Sequence, residues 1–299
     1  MTEHPMQMYL KHFNLSEEPF SATPDTRFYY EHSKTQALFS EMIAAINQAD
    51  GFVRIMGEAG SGKTLQCRKL LKALRSHKKR YQVIHIPHSR LSEEGLYLAI
   101  MQELKLKPIA QKSLRESLIA HLQGINNQAN TNPVIIIDES QSVPEDTLEA
   151  LIELIDSGKR GMKLLRAALF SMPLEHSQSE LITYQEIADR TTLTRELKAF
   201  DSDEVKRYIE TRLIKAGYRQ DPLYSTEALE LIVKLSKGVP RLINLLAQKS
   251  LINAYNAELN QVQAHQVRLA AATIDTALLD VIEYKPNWFN RLRGRKTGT

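Results

Sequence analysis

The stretch GEAGSGKT at residues 57–64 decides the fold of this chain. It matches the phosphate-binding pattern G-x-x-x-x-G-K-[ST], follows the apolar run 52–56 and precedes a helical pattern beginning at Leu65. In such a loop, glycines let backbone N–H groups approach phosphate oxygens, and the helix N-terminus adds its positive dipole end. Lys63 is expected to reach the β- and γ-phosphates, and the Thr64 hydroxyl to ligate Mg²⁺. The chain is therefore predicted to bind ATP through Gly57, Glu58, Ala59, Gly60, Ser61, Gly62, Lys63, Thr64 and Leu65.

A second apolar run, residues 132–138, reads N-P-V-I-I-I-D and is followed by Glu139. Consecutive branched apolar residues are typical of a buried parallel strand. Asp138, at the end of that strand, is predicted to hold Mg²⁺ through its water shell. Glu139 is predicted to be the general base that orients and deprotonates the attacking water. A strand pattern lies between this run and the phosphate-binding loop, which resembles the additional-strand, catalytic-glutamate branch of P-loop ATPases and implies hydrolysis.

Strand and helix patterns alternate up to residue 197, and only helical patterns follow. This order predicts an α/β fold with a doubly wound, parallel, five-stranded sheet, then a small all-α lid. A short helix is also expected near residues 179–188. The predicted domains are an N-terminal strap and first core helix (1–50), an α/β nucleotide-binding domain (51–200), a helical lid (201–277) and a basic flexible tail (278–299). The strap, rich in aromatic residues and proline, is expected to pack on the α/β core near the phosphate-binding loop.

Composition and charge narrow the class of protein. The chain has 299 residues and one cysteine, Cys67, which excludes an internal disulfide framework and suits a reducing compartment. No apolar run reaches the roughly 18 residues of a membrane span, and the N-terminus lacks a signal-peptide pattern, so a cytoplasmic location is expected. Residues 285–299 carry five Lys or Arg and no carboxylate, which leaves a net charge of −1 on the other 284 residues. A near-neutral body argues against a general DNA-binding surface.

Four segments together resemble the AAA+ ATPases of the ExeA/GspA (general secretion pathway A) type. They are GEAGSGKT (57–64), VIIIDESQ (134–141), Arg190 ten residues before Phe200, and GVPRLINLL (238–246). Residues 12–25 and 51–64 are most similar to the branch that serves biogenesis of the MSHA pilus. The resemblance implies an AAA+ fold, ATP hydrolysis with Mg²⁺, a homo-oligomer, and pilus or secretion proteins of the inner membrane as partners.

The resemblance also implies roles for single residues. Arg241, in G-V-P-R, matches the sensor 2 arginine, which the lid lays onto the γ-phosphate. Arg190 matches the arginine finger supplied to a neighbouring subunit's nucleotide, with Arg195 as the alternative. Relatives place Gln where this chain has Met172, and a methionine cannot hydrogen-bond the attacking water. Either Ser171 substitutes for that Gln, or hydrolysis is slow and the protein acts as a nucleotide-controlled switch.

Three functions stay open at this point. The chain is an ATPase that helps assemble a type IV pilus or type II secretion machine, a DNA-associated ATPase of the transposition-helper kind, or a nucleotide-controlled scaffold. The absence of a helix-turn-helix pattern after the lid weighs against nucleic acid without excluding it. In the tail, Trp288 and Phe289 stand among basic residues, which suits peripheral contact with an anionic inner membrane, but docking on a partner protein or a free tail also explains the pattern.

Overall fold

The computed structural model describes residues 5–21, 23–48, 51–87, 90–127, 131–158, 163–173 and 186–274. The chain divides into two compact units. One unit runs from Glu31 to Lys198, and the other joins the residues up to Tyr30 with those from Ala199 onward. The basic tail and most of the helix expected near 179–188 lie outside the described residues, although residues 186–190 are helical. In the described part of the chain, no helix is long and apolar enough to cross a membrane.

The secondary structure follows the predicted alternation closely. The strands are β1 Phe52–Gly57, β2 Tyr81–Ile86, β3 Asn132–Ile137, β4 Arg166–Ser171 and β5 Leu193–Leu197. The helices are α1 Pro5–His12, α2 Ser33–Ile46, α3 Lys63–Ser76, α4 Glu93–Glu103, α5 Leu114–Asn127, α6 Glu145–Asp156, α7 Ser202–Lys215, α8 Thr226–Ser236, α9 Pro240–Asn256 and α10 Ala264–Ala272.

All five strands are parallel and lie in the order β2-β3-β4-β1-β5, which confirms the predicted α/β sheet. β4 lies between β1 and β3, with Ser171 level with Met56 of β1 and Leu169 level with Ile137 of β3. Because parallel strands end at the same edge of a sheet, the loops after β1, β3 and β4 meet there. This topology places the phosphate-binding loop on one side of the end of β4. Asp138 and Glu139, the acidic pair after β3, lie on the other side.

The central strands of the sheet are buried on both faces, which explains the unbroken apolar run of β3 at residues 134–137. Ile135 and Ile137 pack with the apolar residues of α4, α5 and α6. Val134 and Ile136 point the other way and pack with α2 and α3. Successive side chains of a strand alternate between faces, so a strand between two helical layers needs an apolar residue at every position.

Capping residues fix the starts of the helices in the second unit. The Asp201 carboxylate accepts from the Glu204 N–H at 2.9 Å, and the Glu204 carboxylate accepts from the Asp201 N–H at 3.0 Å, which is a capping box. Ser225 caps α8 by accepting from the N–H of Ala228, and Pro240 is the first residue of α9. A proline there loses no intrahelical hydrogen bond. The predicted helical bundle is therefore present.

The N-terminal segment needs a correction. The sequence predicts that it packs on the α/β core, but its residues up to Tyr30 belong to the helical unit. Tyr9, Phe13, Phe20 and Phe28 are buried among residues of α7 to α10, and the sequence does not predict helix α1 at all. Four short helices leave apolar surface to cover, and the aromatic groups of this segment cover it. Helix α2 lies in the α/β unit, which begins at Glu31.

Arg212, a buried residue of α7, binds the N-terminal segment. Its side chain is only 5% exposed, its Nε donates to the carbonyl oxygen of Pro19 at 2.5 Å, and a terminal nitrogen donates to the Tyr208 hydroxyl at 2.9 Å. The guanidinium also lies over the ring of Phe28, 5.0 Å from its centroid. One buried cation thus contacts the N-terminal segment in two places.

Replacing Arg212 is therefore expected to destabilise the helical unit. Arg212→Ala leaves a buried carbonyl and a hydroxyl without their donor and removes the cation–π contact, at a cost of about 2–4 kcal/mol. Urea unfolding followed by circular dichroism measures this loss. Arg207→Ala, which removes an exposed arginine of the same helix, is the control. Equal unfolding curves for the two variants would contradict the role given to Arg212.

Candidate active site

The loop between β1 and α3 has the backbone shape that its sequence predicts. Gly60 and Gly62 have φ angles of 82° and 100°, in the left-handed region that favours glycine. At Gly57 the constraint is space, since an added Cβ would lie 2.5 Å from the Ser61 Oγ and 3.0 Å from the Leu197 Cβ. Three glycines of the motif are thus required by conformation or close approach.

Lys63 begins α3 and folds its side chain back over the loop. It is 4% exposed, and its ammonium group donates to the carbonyl oxygens of Gly57 at 2.8 Å and Glu58 at 3.1 Å. Burial lowers the pKa of Lys63, while the negative charges of Glu139, Asp138 and Glu58 oppose that shift. The cation is thus held inside the loop, within electrostatic reach of the acidic pair after β3.

Thr64 and Asp138 interact across the site. Burial raises the pKa of the Asp138 carboxylate, and the interaction with the Thr64 hydroxyl partly offsets that shift. A hydroxyl and a half-buried carboxylate are oxygen ligands of the kind that Mg²⁺ uses together with substrate phosphates and water. The Oγ of Ser61 is buried and, among the described residues, has no hydrogen-bond partner. These side chains fit the predicted Mg²⁺ and phosphate.

Glu139 follows Asp138 in an unusual backbone conformation. Its φ is 53°, in the left-handed region, which costs a residue with a Cβ about 1–3 kcal/mol and is commonest at functional sites. The side chain is exposed, and its carboxylate accepts a hydrogen bond from the Gln141 amide at 2.5 Å. The structure therefore brings Lys63, Thr64, Asp138 and Glu139 to one edge of the sheet, as predicted.

Gln141 is a site residue that sequence reasoning missed. Its amide oxygen accepts from the backbone N–H of Met172 at 3.1 Å, while its amide nitrogen contacts Glu139. Ser171, the expected substitute for the missing Gln, is 1% exposed, and within the described residues its hydroxyl has no hydrogen-bond partner. The only feature of the sequence that could have identified Gln141 is that a polar amide stands two residues after the predicted general base.

The two candidate arginine fingers are paired with carboxylates of their own unit. Arg190 donates through Nε to Asp156 at 2.9 Å and through a terminal nitrogen to the carbonyl oxygen of Glu186 at 3.0 Å. Arg195, on the edge strand β5, donates to Glu41 at 2.8 Å. Burial alone would raise the pKa of Asp156, but hydrogen bonds from Lys163 and Arg190 hold it below its usual value. Neither arginine is part of the cluster around Lys63.

Arg241 lies in the helical unit, exposed in the first turn of α9. The turn before it is tight, because Gly238 has a φ of 77° and an added Cβ there would lie 1.9 Å from the Phe200 carbonyl oxygen. The Phe200 N–H in turn donates to the Gly238 carbonyl oxygen at 2.9 Å. The start of α9 is thus fixed to the segment that enters α7. The sensor 2 role of Arg241 stays a prediction.

Comparisons with known proteins agree with the fold described above. A family model for an AAA domain (AAA_22) matches residues 46–178. General secretion pathway protein A of Aeromonas hydrophila is 30% identical over 267 residues, which are 88% of this chain and 48% of that protein. The chain thus spans about half the length of that relative.

The solved structures that resemble this chain include proteins named Cdc6 and ORC. Cdc6p of Pyrobaculum aerophilum has a TM-score of 0.62 at 16% identity, covering 85% of this chain and 69% of that one. The ORC2 protein of Aeropyrum pernix, in ADPNP–ADP complexes, has a TM-score of 0.56 at 16% identity over 86% and 74% of the two chains. Drosophila ORC bound to DNA has a TM-score of 0.60 at 16% identity over 96% and 70%.

Proposed function

We propose that this chain, whose fold is that of the AAA+ P-loop NTPases, binds ATP with Mg²⁺ and hydrolyses it. One observation carries the proposal. The loop that holds Lys63 and the turn that holds Asp138 and Glu139 lie at the same edge of the sheet, on either side of the end of β4. A phosphate-binding cation, a pair of Mg²⁺ ligands and a carboxylate base in one place are the parts that phosphoryl transfer to water requires.

The mechanism follows from these side chains. Lys63 would exchange its two carbonyl contacts for oxygens of the β- and γ-phosphates, for which its charge is better matched. Thr64 and Asp138 would hold Mg²⁺, which when bound neutralises charge on the phosphates. Glu139 would accept a proton from the attacking water. Arg241, from the lid, would add positive charge at the γ-phosphate.

Association of several subunits would complete each active site. We propose that the active form is a homo-oligomer in which Arg190 of one subunit reaches the nucleotide of its neighbour, with Arg195 as the alternative. In the single chain, Arg190 is bound to Asp156 at a partly exposed ion pair. Pairs of that kind contribute about 1 kcal/mol or less, so an anionic transition state can compete for the arginine. Hydrolysis would then depend on assembly.

The cellular role is proposed from similarity. The relationship to General secretion pathway protein A, and the resemblance of residues 12–25 and 51–64 to the MSHA pilus biogenesis ATPase MshM, support a part in assembling a type IV pilus or type II secretion machine. We place the chain on the cytoplasmic side of the inner membrane, with pilus or secretion proteins as partners. Residues 278–299 are the proposed peripheral membrane contact.

Nucleotide binding tests the first step of this proposal. Lys63→Ala is expected to weaken ATP binding at least about 10²-fold, because the phosphates lose their buried, charge-assisted partner. Equilibrium titration with a fluorescent ATP analogue measures the change. Lys72→Ala, which removes an exposed lysine of the same helix, should bind like the wild type. Unchanged affinity in Lys63→Ala would contradict the assignment of the loop.

A second candidate function, ATP-controlled association with DNA, is favoured by one observation. Arg68, Lys72, Arg75 and Lys79 recur at helical spacing along α3 and the turn after it, and all four are exposed. A stripe of cations can follow a phosphate backbone, although a solvated helix face explains it too. Fluorescence anisotropy with duplex DNA at two salt concentrations tests this function. Binding through phosphate contacts should weaken steeply as the salt concentration rises.

A further inference from the structure

Two side chains fasten the turn after β3 to the end of β4. The Ser140 hydroxyl donates to the Phe170 carbonyl oxygen at 3.2 Å, and the Gln141 amide oxygen accepts from the Met172 N–H at 3.1 Å. The same amide donates through its nitrogen to the Glu139 carboxylate at 2.5 Å. One neutral side chain therefore contacts both the end of β4 and the carboxylate of the proposed base.

The backbone explains how residues 139 and 141 come together. Glu139 is left-handed, and Ser140–Ser142 form a single 3-10 turn in which the Ser142 N–H donates to the Glu139 carbonyl oxygen at 2.9 Å. Side chains two residues apart on a regular α-helix do not face each other. The left-handed residue reverses the chain direction, so that the Gln141 amide reaches back to the carboxylate.

We propose that Gln141 is a positioning residue for ATP hydrolysis, which fixes the carboxylate of Glu139 and ties its orientation to the end of β4. This inference rests on the hydrolytic function proposed above. Glu139 is exposed, and an exposed carboxylate keeps one orientation only where neighbouring groups hold it, as the Gln141 amide does here. A base acts only when it lies within hydrogen-bond reach of the proton that it removes.

The chemistry of the neighbouring residues favours an amide in this role. A neutral donor orients a carboxylate without the strong fall in basicity that a lysine or arginine partner would cause. The Met172 side chain has no donor, and it is 36% exposed beside Gln141. Ser171, the residue before Met172, is only 1% exposed. Gln141 thus supplies, from the turn itself, a polar group that the last residues of β4 do not supply.

The substitution Gln141→Glu separates positioning from simple support of the turn. It preserves size and keeps an oxygen for the Met172 N–H, but it replaces the donor to Glu139 by a second carboxylate. We expect kcat for ATP hydrolysis to fall about 10²-fold, as misplaced catalytic groups do, while the Kd for ATP stays within about twofold of wild type. Gln102→Glu, the same charge change at an exposed position of α4, is the control and should leave both constants unchanged.

A double-variant cycle based on unfolding midpoints tests the Gln141–Glu139 contact without relying on hydrolysis. In the nucleotide-free protein, Gln141→Glu should lower the unfolding midpoint relative to Gln102→Glu, because two carboxylates then oppose each other. Glu139→Gln should restore it in the double variant. Wild-type turnover in Gln141→Glu, with Glu139→Gln inactive, overturns the inference alone. A wild-type protein that binds ATP without hydrolysing it overturns the proposed function, and additive midpoints in the cycle refute the contact independently.

Discussion

Glu139→Gln is expected to bind ATP with wild-type affinity and to lose hydrolysis by about 10²–10⁴-fold, the range attributed to general base catalysis. The amide keeps the shape of the side chain and cannot accept the proton of the attacking water. Phosphate release at saturating ATP and Mg²⁺, measured beside equilibrium ATP binding, separates the two effects. The loss should appear in kcat, because the phosphate contacts of Lys63 and Thr64 are untouched.

The matched control for that variant lies on the next helix. Glu149→Gln removes an exposed carboxylate of α6 and should hydrolyse ATP like the wild type. Hydrolysis by Glu139→Gln at the rate of this control would show that another group activates the water. Weakened ATP binding in Glu139→Gln would instead show that the carboxylate supports the nucleotide and not the chemistry.

Arg190→Ala is expected to keep ATP affinity and to lose about 10³–10⁵-fold in kcat, the value that arginine fingers carry in phosphoryl transfer. The arginine acts on a neighbour's nucleotide in this account, so the variant still has an intact phosphate-binding loop. A mixture of Arg190→Ala with Lys63→Ala should recover part of the activity, because each variant supplies the half-site that the other lacks. Phosphate release across a series of mixing ratios measures the recovery.

Arg195→Ala is the comparison that identifies the finger. It removes an equally paired arginine, bound to Glu41, from the edge strand β5. If Arg195→Ala shows the loss and the recovery while Arg190→Ala does not, the roles of the two residues are exchanged. A mixture as inactive as both parents would count against a shared site, as would a wild-type protein that is monomeric and fully active.

The sequence predicts the backbone of the phosphate-binding loop and the buried strand β3 well, because the constraints on both are local. The phosphate-binding loop needs glycines at positions where the backbone is left-handed or crowded, and Gly57, Gly60 and Gly62 stand there. The strand β3 needs apolar side chains on both faces, and its four-residue apolar run indicates this. Such constraints act within a few residues, so each leaves a recognisable pattern in a short stretch of the chain.

The N-terminal segment is assigned to the wrong unit for the opposite reason. Its aromatic residues indicate burial, but composition does not say which surface buries them. The partners of Phe28 and Pro19 include Arg212, about 190 residues away in the chain. In the sequence, that arginine has the pattern of an ordinary helix residue. Pairings of this kind depend on the tertiary arrangement, which local patterns do not encode.

The role of Gln141 cannot be predicted from the sequence because it depends on one backbone angle, the φ of Glu139. A glutamate with a φ of 53° is uncommon, and nothing in the letters D-E-S-Q requires it. Without that reversal the amide and the carboxylate would not meet across the short turn. The methionine at position 172, where relatives have Gln, does indicate that a polar group is needed near the end of β4. The sequence suggests Ser171 as the substitute, but its hydroxyl is buried beside β1 and makes no hydrogen bond within the described residues.

Phosphate release by the purified wild-type chain, followed at several protein concentrations with ATP and Mg²⁺, tests whether this chain is an ATPase. We expect saturable release that stops when Mg²⁺ is chelated and whose rate per subunit rises with protein concentration. Lys63→Ala and Glu139→Gln should remain at background. A wild-type protein that binds ATP yet releases no more phosphate than Lys63→Ala at any concentration would contradict the claim that this chain is an ATPase.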